Sequence, residues 1–569
     1  MGAVAIAGAP DAARSARPRV IFCNDGGTLG APGSEAPLGL EGFLAASFDM
    51  LRGTAVNTVY WQLGTDPFKG TASHRLSDWY SHRTAVGPVW GEGVDRFRTA
   101  GEWRIAENAR SLAVAGHAAG HAAGDGIGDA VSAVIDRGHA MGLEVLVSLR
   151  INDGSDATLD SLDDAHVSPH RRAHPDWLLG DAGHLHPGLS PRQQKHRRFA
   201  YDFALPGVRA YTLALVREAI ETYALDGFDI DFCRQPSLFR AGAALQQAPL
   251  VTAMLHEVRA ALDIKSTRAG RRLLLSVRVP HDLEANRLAG LDIAAWLADG
   301  LIDILVVSDP AGYNYRLPVE AFVALAGAAP AGRHCQVVAQ NLCGFREPPL
   351  RSETVLFGTP ACYTPAHYRA NAALHAQAGA DGHYLWNQHL VATFTDAGFV
   401  PRHWLDIGDA AALARRDKHY LVGPVGRGGP LPLMLAVYGG AVGGDAVLDV
   451  ELADDFDTAS PPTACLRLMV EQLTALDTLQ LFFGAHELPH AAVSRQLNYN
   501  DCWLDVEVGH LARRGSNPLR LRVLRRNPHV QAPLVLRAVQ VLVHYGGAGQ
   551  GASAPASAVE ARAVTHGLA

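Results

Sequence analysis

The chain has 569 residues, 48% of them hydrophobic and 19% charged, with a formal net charge of -7. That length exceeds one ordinary core and points to one large and one smaller domain, and the composition is that of a globular rather than a disordered chain. The small negative balance offers no basic field to nucleic acid, and no apolar run reaches the roughly 18 residues of a membrane span, so neither is expected as a partner.

Residues 1–18 lack the basic region and long apolar core of an export signal, so they read as a disordered leader and make the cytoplasm the default location. From residue 19 onward, strand-like and helix-like segments alternate. "RVIFCN" (19–24) is followed by the amphipathic "GLEGFLAASFDMLRG", and "NTVYWQL" (57–63), after a long insertion, by "GDAVSAVIDRGHAMG". "LEVLVSLR" (143–150) precedes a second insertion and the helix "GVRAYTLALVREAIETYA". "ALDGFDIDFCRQP" (224–236) holds the fourth strand, with "PLVTAMLHEVRAALDI" behind it. "RLLLSVRV" (272–279), "IDILVVS" (302–308), "HCQVVAQ" (334–340) and "GHYLWN" (382–387) complete the series.

Strands that are apolar almost throughout and alternate with helices describe a parallel sheet covered by helices. Eight such units over roughly 400 residues give an α/β fold, a (β/α)8 TIM barrel spanning 19–420 with long insertions after strands 2 and 3. No GxGxxG or GxxxxGK follows the first strand, which removes the nucleotide-binding signature. Beyond a Gly/Pro-rich junction, short alternating segments such as "AVLDVELA", "TLQLFF" and "LRLRVLRR" predict a small C-terminal antiparallel β-sandwich over 430–546. Residues 547–569 are poor in bulky side chains and read as a disordered tail. The seven cysteines contain no CxxC pair and no zinc spacing, so free thiols are expected, with neither metal nor cofactor.

In such barrels chemistry sits where the strands finish. Side chains alternate along a strand, so Asp229, Asp231 and Cys233 point into the barrel while Phe228, Ile230 and Phe232 face the helices. A carboxylate removed from water without a partner costs several kcal/mol, so Asp231 belongs at the mouth with Asp229 one layer deeper. One of the two is expected to hold a proton or to be compensated by Arg150, Arg234 or Arg278. The other strand ends contribute Asp25; Arg150, Asn152 and Asp153; His281; Asp309 and Tyr313; Asn341 and Glu347; and Trp386 and Asn387. A lone Asp or Asn there is more often a turn or helix cap, and it is convergence on one rim that carries the signal. Trp61, Trp79, Trp90, Trp103 and Trp177, at or beyond the ends of strands 2 and 3, suit a groove in which sugar faces stack.

"DGFDIDF" (226–232) resembles the fourth-strand motif of (β/α)8-barrel glycoside hydrolases and glycosyl hydrolase-like families with a DGxxxDF strand end. The chitinase-type pattern DGxDxDxE fits through Asp231, but Cys233 stands where that pattern has its acid. The α-galactosidase-like pattern is nearer: it makes Asp231 the nucleophile and Asp309 the acid, with Asp229 where a lysine is usual. The resemblance implies a glycoside hydrolase acting on an oligo- or polysaccharide, with Glu347 as reserve acid. Trp386 would floor the sugar subsite, while His281, Asn152 and Asn341 bond hydroxyls. Carboxyl groups about 5 Å apart would allow retention, and about 6.5–9.5 Å would indicate inversion. Two alternatives stay open, a metal-dependent hydrolase using Asp229, Asp231, His281 and Asp309, and a carbohydrate-binding pseudoenzyme. The sequence leaves room for a homo-oligomer.

Overall fold

The computed structural model describes residues 18–24, 39–63, 130–153, 171, 173–189, 191–310, 315–329, 335–341, 364–386, 388, 403–422, 430–437, 439–440, 442–498 and 501–546. Of the candidates above, Asp25, Tyr313, Glu347, Asn387, Trp79, Trp90 and Trp103 lie outside the described residues.

Eight parallel strands close into a barrel in sequence order: β1 (Arg19–Asn24), β2 (Thr58–Leu63), β3 (Glu144–Arg150), β4 (Gly227–Asp231), β5 (Leu274–Pro280), β6 (Ile304–Ser308), β7 (Gln336–Gln340) and β8 (Gly382–Trp386). The ring is completed by β8 on β1, Arg19 opposite Gly382 and Cys23 opposite Trp386. The fold is therefore the expected (β/α)8 barrel. The next described element after β2 is the helix Ala130–Ala140, and between β3 and the helix Pro206–Thr222 the described chain makes short helices and isolated β-bridges.

Strand alternation divides the side chains into two cores. Phe22, Trp61, Val147, Phe228, Ile230, Val277, Val307 and Val337 face outward into one layer shared with the helices. The helix Pro206–Thr222 shows how that layer is filled. Proline at its first turn costs no hydrogen bond, and Val208, Thr212, Val216, Ala219 and Ile220 recur at helical spacing on its buried face. Inside the barrel, Ile21, Tyr60, Leu146, Ile304, Val306, Val338 and Tyr384 form a separate apolar cluster. Two glycines mark where neighbouring strands leave no space. A Cβ at Gly227 would meet the Leu274 carbonyl, and one at Gly382 the Arg19 carbonyl.

The C-terminal strands form two antiparallel sheets. One runs β10 (Leu433–Ala436), β18 (Leu534–His544), β12 (Thr463–Glu471), β16 (Asp501–Glu507), β15 (Ser494–Asn498), with β9 (Lys418–Leu421) also paired to β18. The other runs β11 (Asp445–Leu452), β17 (Gly515–Arg525), β13 (Thr478–Phe483), β14 (His486–Leu488). Val450, Leu468, Leu481, Leu504, Leu521 and Leu536 fill the core between them, as a period-2 pattern requires. That core continues into the barrel through Tyr315, Tyr368 and Leu374. The Tyr315 hydroxyl donates to the His419 carbonyl at 3.1 Å, Arg316 pairs with Glu451 at 2.9 Å, and the rings of His367 and His419 stack 4.0 Å apart.

Candidate active site

The registers of β3, β4 and β5 set two polar layers in the barrel. Ser148, Asp229 and Ser276 stand side by side, and one step nearer the C-terminal end so do Arg150, Asp231 and Arg278. The lower carboxylate is enclosed by hydroxyls: Ser148 Oγ donates to one oxygen of Asp229 at 2.6 Å and Ser276 Oγ to the other at 2.7 Å. Burial pushes the Asp229 carboxyl up to about 7, the charge of Asp231 adds to the rise, and the two serines oppose it.

Asp231, only 1% exposed, is built differently. Arg278 Nη1 donates to its Oδ2 at 2.9 Å and Gln62 Nε2 to the same atom at 3.2 Å. The backbone N–H groups of Cys233 and Arg234 donate to its Oδ1 at 2.9 and 3.3 Å. Four donors thus share the roughly four acceptor sites of the carboxylate. A second guanidinium, Arg150, lies 3.9 Å from Oδ2.

Arg278 is the hub of the mouth. Its Nε donates to Ser308 Oγ at 2.9 Å and its Nη2 to Gln340 Oε1 at 3.1 Å, while its guanidinium lies 4.9 Å from the ring centre of Trp386 and 5.2 Å from that of Tyr384. Burial works against the Arg278 charge, but Asp231 together with Cys233, Tyr384 and Cys23 outweighs it and the pKa rises. The pair is acceptable in a buried setting because both members are hydrogen-bonded as well as charged.

The remaining candidates separate into those near this centre and those with other duties. Asp153 Oδ2 is 3.3 Å from Arg234 Nε and 3.9 Å from Arg150 Nη1, so it anchors the two arginines. Asp309, buried one residue beyond β6, lies close enough to act with Asp231 on the Cys233 thiol, which burial pushes up. His281, just past β5, acts in the same way on His186, whose pKa burial lowers to about 4. Asn341, fully buried one residue past β7, bonds the Tyr384 carbonyl through its backbone N–H, and its carboxamide meets no partner among the described residues.

Two expectations are corrected. Trp61 does not line the mouth, because it sits on the outward face of β2, buried edge-on against Phe43 with 5.6 Å between ring centres. Asn152 is not open to a hydroxyl. Its Nδ2 donates to the carbonyls of Tyr201 and Ser237 and its Oδ1 accepts from Tyr201 N–H, which ties the excursion after β3 to the segment after β4. Trp177, half-buried, stacks on His174 at 4.2 Å and packs against the outer core layer.

Sequence reading passed over Gln62, Ser148, Ser276 and Ser308. A signal was present: "SLR" in β3 and "SVR" in β5 repeat Ser-x-Arg on either side of Asp-x-Asp in β4, which parallel pairing brings into contact. Among the described residues no group of three or more His, Cys, Asp or Glu side chains is placed to hold a metal ion, and serine hydroxyls take both oxygens of Asp229. The metal-hydrolase alternative thus finds no ligand set there. No described helix is long and apolar enough to cross a membrane.

No family model matches the chain, and no curated protein is similar to it in sequence. Among solved structures, it is similar to the glycoside hydrolase domain of PgaB (BpsB) from Bordetella bronchiseptica, with TM-score 0.38 and 11% identity over 69% of this chain and 99% of that one. The α-amylase of Geobacillus thermoleovorans gives 0.35 and 11% over 89% and 99%. The cycloisomaltooligosaccharide glucanotransferase of a Paenibacillus species gives 0.30 and 9% over 92% of this chain, which spans 57% of that enzyme's length. Likenesses at TM-scores of 0.30–0.38 and identities of 9–11% carry no argument about this chain.

Proposed function

We propose that the chain hydrolyses O-glycosidic bonds of an oligo- or polysaccharide, with Asp231 as the charge that faces the anomeric carbon. The observation that carries this reading is the setting of Asp231: a carboxylate at the end of β4, in the barrel interior, held by Arg278, Gln62 and two backbone N–H groups. Cleavage develops positive charge at the anomeric carbon, and a preorganised negative group there lowers the barrier without reorganising in the reaction. Because four donors occupy its lone pairs, Asp231 acts as a fixed stabiliser rather than an attacking nucleophile. Asp309 supplies the proton to the leaving oxygen, and Glu347 is the alternative acid. With no covalent bond to the enzyme, a water attacks the anomeric carbon as the bond to the leaving oxygen breaks, its surplus proton passes through solvent back to Asp309, and the anomeric configuration inverts.

The test is a screen of aryl glycosides and of plant and bacterial polysaccharides, comparing wild type with Asp231→Ala. Turnover should fall about a hundredfold to a thousandfold, and proton NMR of the first product should show the inverted anomer. Turnover untouched by Asp231→Ala would remove Asp231 from the chemistry, and a retained anomer would return it to the nucleophile's role. A second reading, saccharide binding without turnover, is favoured by the same four donors, since a saturated carboxylate suits recognition as well as catalysis. It predicts no product with wild type and undiminished affinity in Asp231→Asn.

A further inference from the structure

Two neutral polar atoms at the barrel mouth meet no partner among the described residues, while its central cation, Arg278, is committed. Gln62 is fully buried on β2. Its amide is oriented by chemistry, since only the nitrogen can face the Asp231 carboxylate, and Nε2 does so at 3.2 Å. The carbonyl end, Oε1, is thereby turned away from Asp231 and is a buried acceptor with no partner among the described residues. On β8, which only β1 separates from β2, Trp386 is 8% exposed, and its Nε1–H is a buried donor that likewise meets no partner among the described residues. Leaving such groups unsatisfied costs about 1–3 kcal/mol each, so they mark places where a ligand's own polar groups are strongly favoured.

The charged groups point to the same ligand: Arg150 stands 3.9 Å from the carboxylates of both Asp231 and Asp153, so an anion beside it would meet two like charges, and Arg278 is already engaged. Arg278 spends Nη1 on Asp231, Nε on Ser308 and Nη2 on Gln340, and its guanidinium stacks near Trp386 and Tyr384. A carboxylate or phosphate on the ligand would have to displace Asp231 to win this cation, and would then stand beside the Asp231 charge. Like charges so close in a buried site are strongly unfavourable.

We propose that Gln62 and Trp386 form a hydroxyl-reading pair beside Asp231 and that the ring bound there is an uncharged sugar, one hydroxyl donating to Gln62 Oε1 and another oxygen accepting from Trp386 Nε1. This inference rests on the glycosidase reading for the class of ligand, and adds to it the neutrality of the sugar and the residues that select it.

Equilibrium binding on an array of neutral hexasaccharides (gluco-, manno-, galacto- and N-acetylglucosamine oligomers) and acidic ones (oligogalacturonate, alginate and hyaluronan fragments) tests the proposal. Wild type should bind at least one neutral oligomer about tenfold or more tightly than any acidic one. Gln62→Leu should weaken that binding about tenfold with the urea unfolding midpoint little changed. Preference for acidic oligomers, or a folded Gln62→Leu variant with undiminished affinity, would overturn the proposal. Should Gln62→Leu fail to fold, wild-type selectivity decides alone. Neutral-sugar binding without hydrolysis would sink the glycosidase reading and leave this one standing, whereas acidic preference with turnover would do the reverse. An array on which nothing binds would overturn both.

Discussion

Asp229 and Asp231 are two residues apart in one strand, yet their surroundings give them opposite electrostatic lives. Asp229 is held by two hydroxyls and no cation, and its carboxyl is pushed up to about 7 from an ordinary value of 3.8. Between about pH 4 and 7 the folded form therefore keeps a proton that the unfolded chain has released. Its contribution to stability is complete below pH 4 and is lost as pH rises through 7. Asp229→Asn should keep the fold, with its amide meeting the two serines. It should also remove an alkaline loss on the order of 2–3 kcal/mol between pH 5 and pH 8, read as the difference in urea midpoint over that interval for wild type and variant. An unchanged difference would show that Asp229 is ionised throughout that range. The spacing of the two aspartates and their inward direction could be read from the chain. The identity of their partners could not, because Gln62 lies 169 residues before Asp231 and Arg278 47 after it, and only barrel closure fixes which strand ends meet.

Each barrel strand was readable from its apolar run, since residues buried on both faces leave little room for polar ones. Register was not readable, because it depends on how neighbouring backbones nest. Gly382 shows the constraint: it opens β8 against the Arg19 carbonyl, where any side chain would enter backbone already hydrogen-bonded to its neighbour. Gly382→Ala should loosen the β8–β1 seam and lower stability by about 1–3 kcal/mol, measured as a fall in the thermal midpoint. A variant as stable as wild type would mean that the seam can shift. Trp61 illustrates the limit of reading by position. It stands at a strand end like the mouth residues, but its parity along β2 sends it to the helix side, whereas Gln62, next in the chain, faces in. Parity alone separates these two, and applying it strictly to strand 2 would have exchanged them.

At the scale of the molecule, the sandwich core extends onto the barrel through Tyr315, Tyr368 and Leu374, and in or beside that seam lie four histidines, three buried and His419 half-buried. His383 and His419 are lowered to about 4 by burial, and His367 and His375 fall well below their usual value for the same reason. Two of them accept backbone N–H groups through a ring nitrogen that must stay unprotonated: His375 from Leu317 at 3.3 Å and His367 from Thr364 at 3.1 Å. Their stabilising effect is complete above pH 6.5 and disappears as acidification approaches the folded values, because the unfolded chain takes up protons first. Calorimetry should therefore show one joint transition near neutrality whose midpoint drops between pH 6.5 and 4. Two separate transitions at pH 7.5 would contradict a seam that couples barrel and sandwich. The sandwich segments were readable from their alternation, but not their docking on the helix Pro365–Gln377, which follows from surface shape. The order of strands has a consequence for synthesis on the ribosome. β18 joins β9, β10 and β12, so the larger sheet cannot assemble until residues 534–544 have left the exit tunnel, whereas the barrel can close once β8 has emerged. During that interval the nascent barrel exposes the greasy flank around Tyr315, Tyr368 and Leu374, and a chaperone able to cover that flank has a defined window in which to act.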